Sequence, residues 1–125
     1  MIHLDTNFLV RSLIDGTREQ EVVDRWAAEA VPLGVSAPAW SEFLCGPVTV
    51  RQVGTAARLL GPPRSFTPSD AELAAELFNL GGRRRGTLVD CMIAATAIRH
   101  GAELATANVA DFSRFAARGL ALAPL

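Results

Sequence analysis

Apolar residues in this chain fall into two kinds of run, short extended ones and longer ones at helical spacing, and the two alternate from end to end. Ile2 and Leu4 flank His3 in a short opening strand, and Phe8, Leu9, Val10, Leu13 and Ile14 continue at helical spacing after Asp5-Thr6-Asn7. Asp15-Gly16 is a turn. Residues 17–30 read as an amphipathic helix, with Val22, Val23, Trp26, Ala27 and Ala30 inward and Arg18, Glu19, Asp24, Arg25 and Glu29 outward. A second strand is expected over 33–37, then a helix over 39–45 opened by Pro38 and carrying Trp40, Phe43 and Leu44 as its apolar stripe. Helix 48–60 ends at Gly61-Pro62-Pro63, and residues 64–66 suggest a third, minor strand. Thr67, Pro68 and Asp70 fit N-cap, N1 and N3 of a helix running through Leu80, with Asp70, Glu72 and Glu76 outward and Leu73, Leu77, Phe78 and Leu80 inward. Residues 88–98 are apolar on every side, the mark of a helix buried all round. Strands at 103–105 and 120–122 bracket a short helix beginning at Val109.

Strands separated by helices throughout imply one α/β domain over residues 1–125. Its central, mostly parallel sheet would have about four or five short strands, with helices on both faces. Composition agrees: 125 residues, half hydrophobic and a fifth charged, suit a single folded core and exclude disorder. No run is long enough for a membrane span and no leader pattern opens the chain, so a cytoplasmic protein is expected. Cys45 and Cys91 lie in helical patterns without metal-ligand spacing and read as buried thiols. Net charge is −1, so no overall positive field draws nucleic acid. All twelve basic residues are Arg, the cation better suited to bidentate phosphate contacts.

Chemistry enters through Asp90, the lone ionisable group near the start of the buried helix. A carboxylate out of water needs a partner or takes up a proton. Thr87 and Asp90 have capping-box spacing, which offers one answer. Other acids converging on the same point offer another. Asp5 stands at the end of the first strand, Glu42 just past the second, and Asn108 to Asp111 just past the strand at 103–105. In a parallel sheet that edge is where ligands gather. Acids brought together there tolerate one another only around cations, and oxygen ligands without Cys or His favour Mg²⁺ or Mn²⁺. One or two such ions could hydrolyse a phosphodiester. Gly81-Gly82-Arg83-Arg84-Arg85-Gly86 is a flexible basic loop, either a solvated connection or a hold on a phosphate backbone beside Asp90. His100, closing the buried helix, reads as a helix-dipole partner with no second histidine placed near it.

Asp5-Thr6-Asn7, Ser41-Glu42-Phe43-Leu44, Leu88-Val89-Asp90-Cys91-Met92-Ile93-Ala94-Ala95-Thr96-Ala97 and Thr106-Ala107-Asn108-Val109-Ala110-Asp111-Phe112, in this order and spacing, resemble the PIN domain. Within that family they are most similar to the VapC-type ribonuclease toxins of bacterial toxin–antitoxin operons. The resemblance implies a metal-dependent endoribonuclease acting on single-stranded segments of RNA. It also implies a homodimer inhibited by a VapB-like antitoxin, through which alone it would meet DNA. Asp5, Glu42 and Asp90 match the family's central metal-site acids. Asn108 stands where an acid is frequent, so either Asn108 or Asp111 completes the set. Thr6 and Thr106 match hydrogen-bonding neighbours of the site, and Arg83, Arg84 and Arg85 would bind flanking phosphates. Two other readings remain: a non-catalytic partner that binds an antitoxin and serves operon repression, and a plain α/β domain whose acids all cap helices.

Overall fold

The computed structural model describes residues 1–125. β1 (Ile2–Leu4) is flanked by β2 (Leu33–Gly34) and β3 (Glu103–Ala105), and β4 (Ala121–Leu122) adds to β3, giving the order β2-β1-β3-β4. All pairings are parallel, with Ile2 opposite Leu33 and Leu4 opposite Ala105. Each crossover is helical: α1 (Thr6–Ser12) and α2 (Arg18–Ala28) join β1 to β2. Then α3 (Ala37–Cys45), α4 (Val50–Leu60), α5 (Pro68–Leu80) and α6 (Leu88–Arg99) join β2 to β3, and α7 (Val109–Ser113) leads to β4. Leu4 and Leu104 from the sheet meet Phe8, Leu9, Phe43, Leu77, Ile93, Phe112 and Phe115 from the helices in one core. No helix is long and apolar enough to cross a membrane.

Capping chemistry sets where the helices begin. Thr17 and Thr49 accept from the backbone N–H of Gln20 and Gln52 as N-caps, so α2 and α4 start at Arg18 and Val50, later than hydropathy alone suggests. Ser36 does the same for α3, its Oγ accepting from Ala39 N at 3.2 Å, and this cuts the second strand to two residues. The expected minor strand shrinks to a single bridge between Ser36 and Arg64. The box of Thr67 and Asp70 forms as its spacing requires.

Several side chains depart from the amphipathic reading. Asp70 is fully buried, not outward: Oδ2 accepts from Thr67 N, while Arg99 Nε approaches Oδ1 at 2.5 Å without hydrogen-bond alignment. Glu19 is also buried, held by Arg11 at 2.8 Å. Ala27, Ala30, Leu80 and Cys45 turn out to be exposed, leaving Cys91 as the buried thiol. These four lie at helix ends or on flanks that no neighbouring element covers. The largest departure concerns histidine. His3 is wholly buried with its ring 5.7 Å from that of His100, because parallel pairing brings the first strand beside the end of α6. Neither His3 nitrogen finds a partner. Burial, His100, Arg64 and the terminal amine together push its pKa down to about 4. Gly34 permits this packing, since a Cβ there would stand 3.2 Å from His3 Cδ2.

Candidate functional site

β1 ends at Leu4, and the next residue must both leave the sheet and start a helix. Asp5 does so as N-cap of α1, its Oδ1 accepting from Phe8 N at 2.8 Å. The pairing of Leu4 with Ala105, extended by Asp5 N donating to the Ala105 carbonyl, brings Thr106 alongside. Asp5 is nearly buried, and this raises its carboxyl above the ordinary carboxylate range. The Thr106 hydroxyl and the Phe8 N–H oppose the rise, and the charge of Glu42 adds to it. The helix-cap role and a role in the site therefore coexist in one side chain.

Glu42 projects from α3, where it is exposed and accepts a 2.6 Å hydrogen bond from the Thr6 hydroxyl at the start of α1. Asp90 lies in the first turn of α6. The capping box expected there does not form: Thr87 donates its hydroxyl to the Arg84 carbonyl at 2.7 Å and caps no N–H of α6. Asp90 belongs to none of the three ion pairs. Desolvation lifts its pKa to about 6, helped by Glu42, then Asp5, then Asp111, and opposed by Arg114. An acid with that environment, partly buried and facing like charges, is offered only the helix dipole by the helix it begins.

Asp5, Thr6, Asn7, Glu42 and Asp90 line one cleft of about 100 Å³ with no hydrophobic residue in its wall. Asp111 adds its field from α7 and is bound through Oδ2 by the Asn108 side-chain amide at 2.6 Å. Asn108 also donates its backbone N–H to Thr106 Oγ1 at 2.9 Å, tying the loop after β3 to the residue beside Asp5. Neither Asn108 nor Asp111 lines the small cleft itself. A wider groove of about 420 Å³ lies between α2 and α4, but it is an ordinary surface groove in which Gln20 binds Asp15 at 3.0 Å.

The donor set of the cleft suits a hard cation: carboxylate, hydroxyl and amide oxygens, without thiol or imidazole. No three acidic, imidazole or thiol side chains are arranged around a common point that could hold a metal ion, however. The bond from Thr6 occupies part of Glu42, and Asp5 spends one oxygen on its helix cap. The acids are gathered, with Asp90 in no ion pair, but they do not form a coordination shell.

The basic loop lies at the surface between α5 and α6. Arg83, Arg84 and Arg85 are exposed, and Arg83 Nε is tied back to Asn79 Oδ1 at 3.0 Å on α5. None of the three contributes to the field that shifts Asp90. The cation that does is Arg114, at the end of α7, which sequence reasoning passed over. Nothing in its spacing along the sequence marked it out.

Comparison with known proteins bears on the fold and the family. No curated protein matches the chain. Among solved structures, VapBC2 from Rickettsia felis bound to a promoter DNA fragment superposes with a TM-score of 0.76 at 21% identity, covering 98% of both chains. VapC20 of Mycobacterium tuberculosis, a toxin that cleaves the sarcin–ricin loop, gives 0.68 at 24%, again over 98% of both chains. A toxin–antitoxin complex from Klebsiella pneumoniae gives 0.67 at 27%, covering 90% of this chain and 91% of that one. The family model of the PIN domain matches residues 2–118, and the chain therefore belongs to the PIN-domain family.

Proposed function

We propose that this protein is a divalent-metal-dependent endoribonuclease, the toxin of a VapBC-type pair, hydrolysing phosphodiester bonds in single-stranded segments of RNA. The observation that carries the reading is the meeting of Asp5, Glu42 and Asp90, from three separate elements, in one small and wholly polar cleft where Asp90 has neither cap nor ion pair. The toxins with the same fold, one of them a cleaver of RNA, support it.

In this reading Asp5, Glu42 and Asp90 hold the cation, and Asp111, steadied by Asn108, supplies the fourth negative charge. Mg²⁺ or Mn²⁺ bound there would neutralise the acids and the phosphate and make a bound water more acidic. The chain's own contribution is positioning. Thr6 holds Glu42 at the cleft mouth, Thr106 and the Phe8 N–H fix Asp5, and the rigid start of α6 presents Asp90. Arg83, Arg84 and Arg85 form an exposed basic turn able to take phosphates further along the strand. A homodimer and a VapB-like antitoxin as partner follow from the same reading.

Purified protein should cut single-stranded RNA with Mg²⁺ or Mn²⁺ and stop with chelator. Asp90→Asn and Asp5→Asn should each lower the rate by about a hundredfold or more, since ligand-shell losses reach that size. Full activity in either variant would refute the proposal.

A further inference from the structure

Two further hollows run on from the acid cleft. Asn7, exposed in the first turn of α1, lines the cleft and also an open groove that it shares with Arg11, Glu19 and Ala107. Glu19 and Ala107 in turn line a pocket of about 200 Å³. That pocket adjoins Asp5, because its walls include Phe8 and Thr106, the two residues that hold the Asp5 carboxyl. Cleft, groove and pocket are therefore continuous through shared residues.

Asn7 and Arg11 stand about 6 Å apart along the axis of α1 and share one face. Arg11 is oriented from below: its Nε donates to Glu19 Oε1 at 2.8 Å, and the Glu19 side chain is only 10% exposed. The Arg11 side chain is itself 55% exposed, and its other guanidinium nitrogens bond nothing in the chain. A held guanidinium with an open fork suits a phosphate. In the pocket beyond, Phe8 and Val22 are buried and form the floor, while Ala107, Val109 and Arg18 are exposed and form the rim. Its volume lies below the roughly 300–1,000 Å³ of sites that enclose a whole small molecule. One flat group fits, apolar on its faces and polar at its edge. An aliphatic side chain would leave Glu19 and Arg18 facing carbon, whereas an unpaired base splays from its backbone and seats against apolar and guanidinium surfaces. We infer that Arg11 and this pocket form a one-nucleotide subsite, Arg11 holding the phosphate next to the one in the acid cleft and the pocket taking the attached base. This rests on the ribonuclease reading above.

Anisotropy with two labelled strands of equal length, a short oligoadenylate and its fully abasic counterpart, tests the subsite through binding alone. Ca²⁺, which also takes oxygen ligands, replaces Mg²⁺ in the cleft. The wild-type chain should prefer the adenylate strand about tenfold, the scale of seating one base. Ala107→Leu fills the pocket from an exposed position and should bind both strands alike, which isolates the base from every other contact. Val109→Ala trims the rim at a residue that is 52% exposed and should shrink the preference, so it decides the matter should Ala107→Leu fail to fold. Arg11→Ala should weaken both strands equally and flatten the slope of log affinity against log salt by about 0.7, the share of one phosphate on a single strand. Arg11→Lys should restore the slope without the whole affinity, because a point charge lacks the fork. Equal wild-type affinity for the two strands, or a preference that survives Ala107→Leu, in a protein that cuts RNA would overturn the subsite and leave the nuclease reading intact. A preference abolished by Ala107→Leu in a protein that cuts nothing would keep the subsite and overturn the nuclease reading. A wild-type chain without RNA affinity would overturn both.

Discussion

Asp5 and Asp90 show how differently two carboxylates can be used within one cleft. Asp5 is committed on one oxygen to the first turn of α1, so its position is fixed by the fold. Asp90 makes no helix cap and no ion pair, so its carboxylate is open to whatever charge enters. Thr106 supports the first of these, and its hydroxyl is the group to remove. Thr106→Val preserves shape and should lower metal-dependent cleavage by roughly ten- to a hundredfold, the usual cost of losing an outer-shell hydrogen bond. Binding curves for Mn²⁺ on the variant should show the same loss of affinity. An unchanged affinity would mean that the cap to Phe8 suffices to place Asp5.

Among the elements, α5 and α6 are joined by an unequal ion pair. Asp70 is wholly buried, whereas the Arg99 side chain is 44% exposed. Removing Arg99 strands a buried charge, while removing the charge of Asp70 leaves a solvated arginine. Arg99→Ala should therefore cost more than Asp70→Asn, about 3 kcal/mol against about 1 kcal/mol for a weakened cap. Urea unfolding of the two variants measures this directly, and the reverse order would show that Asp70 acts through Thr67 alone. The pair matters to function because α6 carries Asp90 at its first turn, and the angle at which α6 lies on α5 sets where that acid stands.

For the molecule as a whole, the buried His3 and the half-buried Asp90 pull stability in opposite directions across the same pH range. His3 folds with a pKa of about 4 against 6.5 free, so its contribution is full above 6.5 and is lost as pH falls through 4. Asp90 folds with a pKa of about 6 against 3.8 free, so its contribution is full below 3.8 and is lost as pH rises through 6. Between pH 4 and 6 the two slopes oppose. Asp90→Asn should unmask the histidine, making the melting temperature of metal-free protein climb more steeply with pH over that interval and exceed wild type at pH 7. Mg²⁺ should raise the wild-type melting temperature more at pH 7.5 than at pH 5, since a cation that binds only the folded, ionised cluster stabilises it in proportion to its affinity. Equal shifts at both pH values, or none, would place cation binding away from Asp90.

Spacing alone carried the alternation of strands and helices, the parallel sheet, the caps at Thr67 and Asp5, and the gathering of acids past the strand ends, because each depends on local propensity and on the one edge a βαβ chain offers. Only the tertiary structure decided how each acid is employed. Thr87 turns to the Arg84 carbonyl and leaves Asp90 uncapped, Asp70 and Glu19 go inside, and His3 meets His100 across the length of the chain. The cation whose charge opposes the rise in the Asp90 pKa is Arg114. These outcomes turn on which distant surfaces come into contact, and hydropathy records the face a residue prefers without recording what waits on the other side.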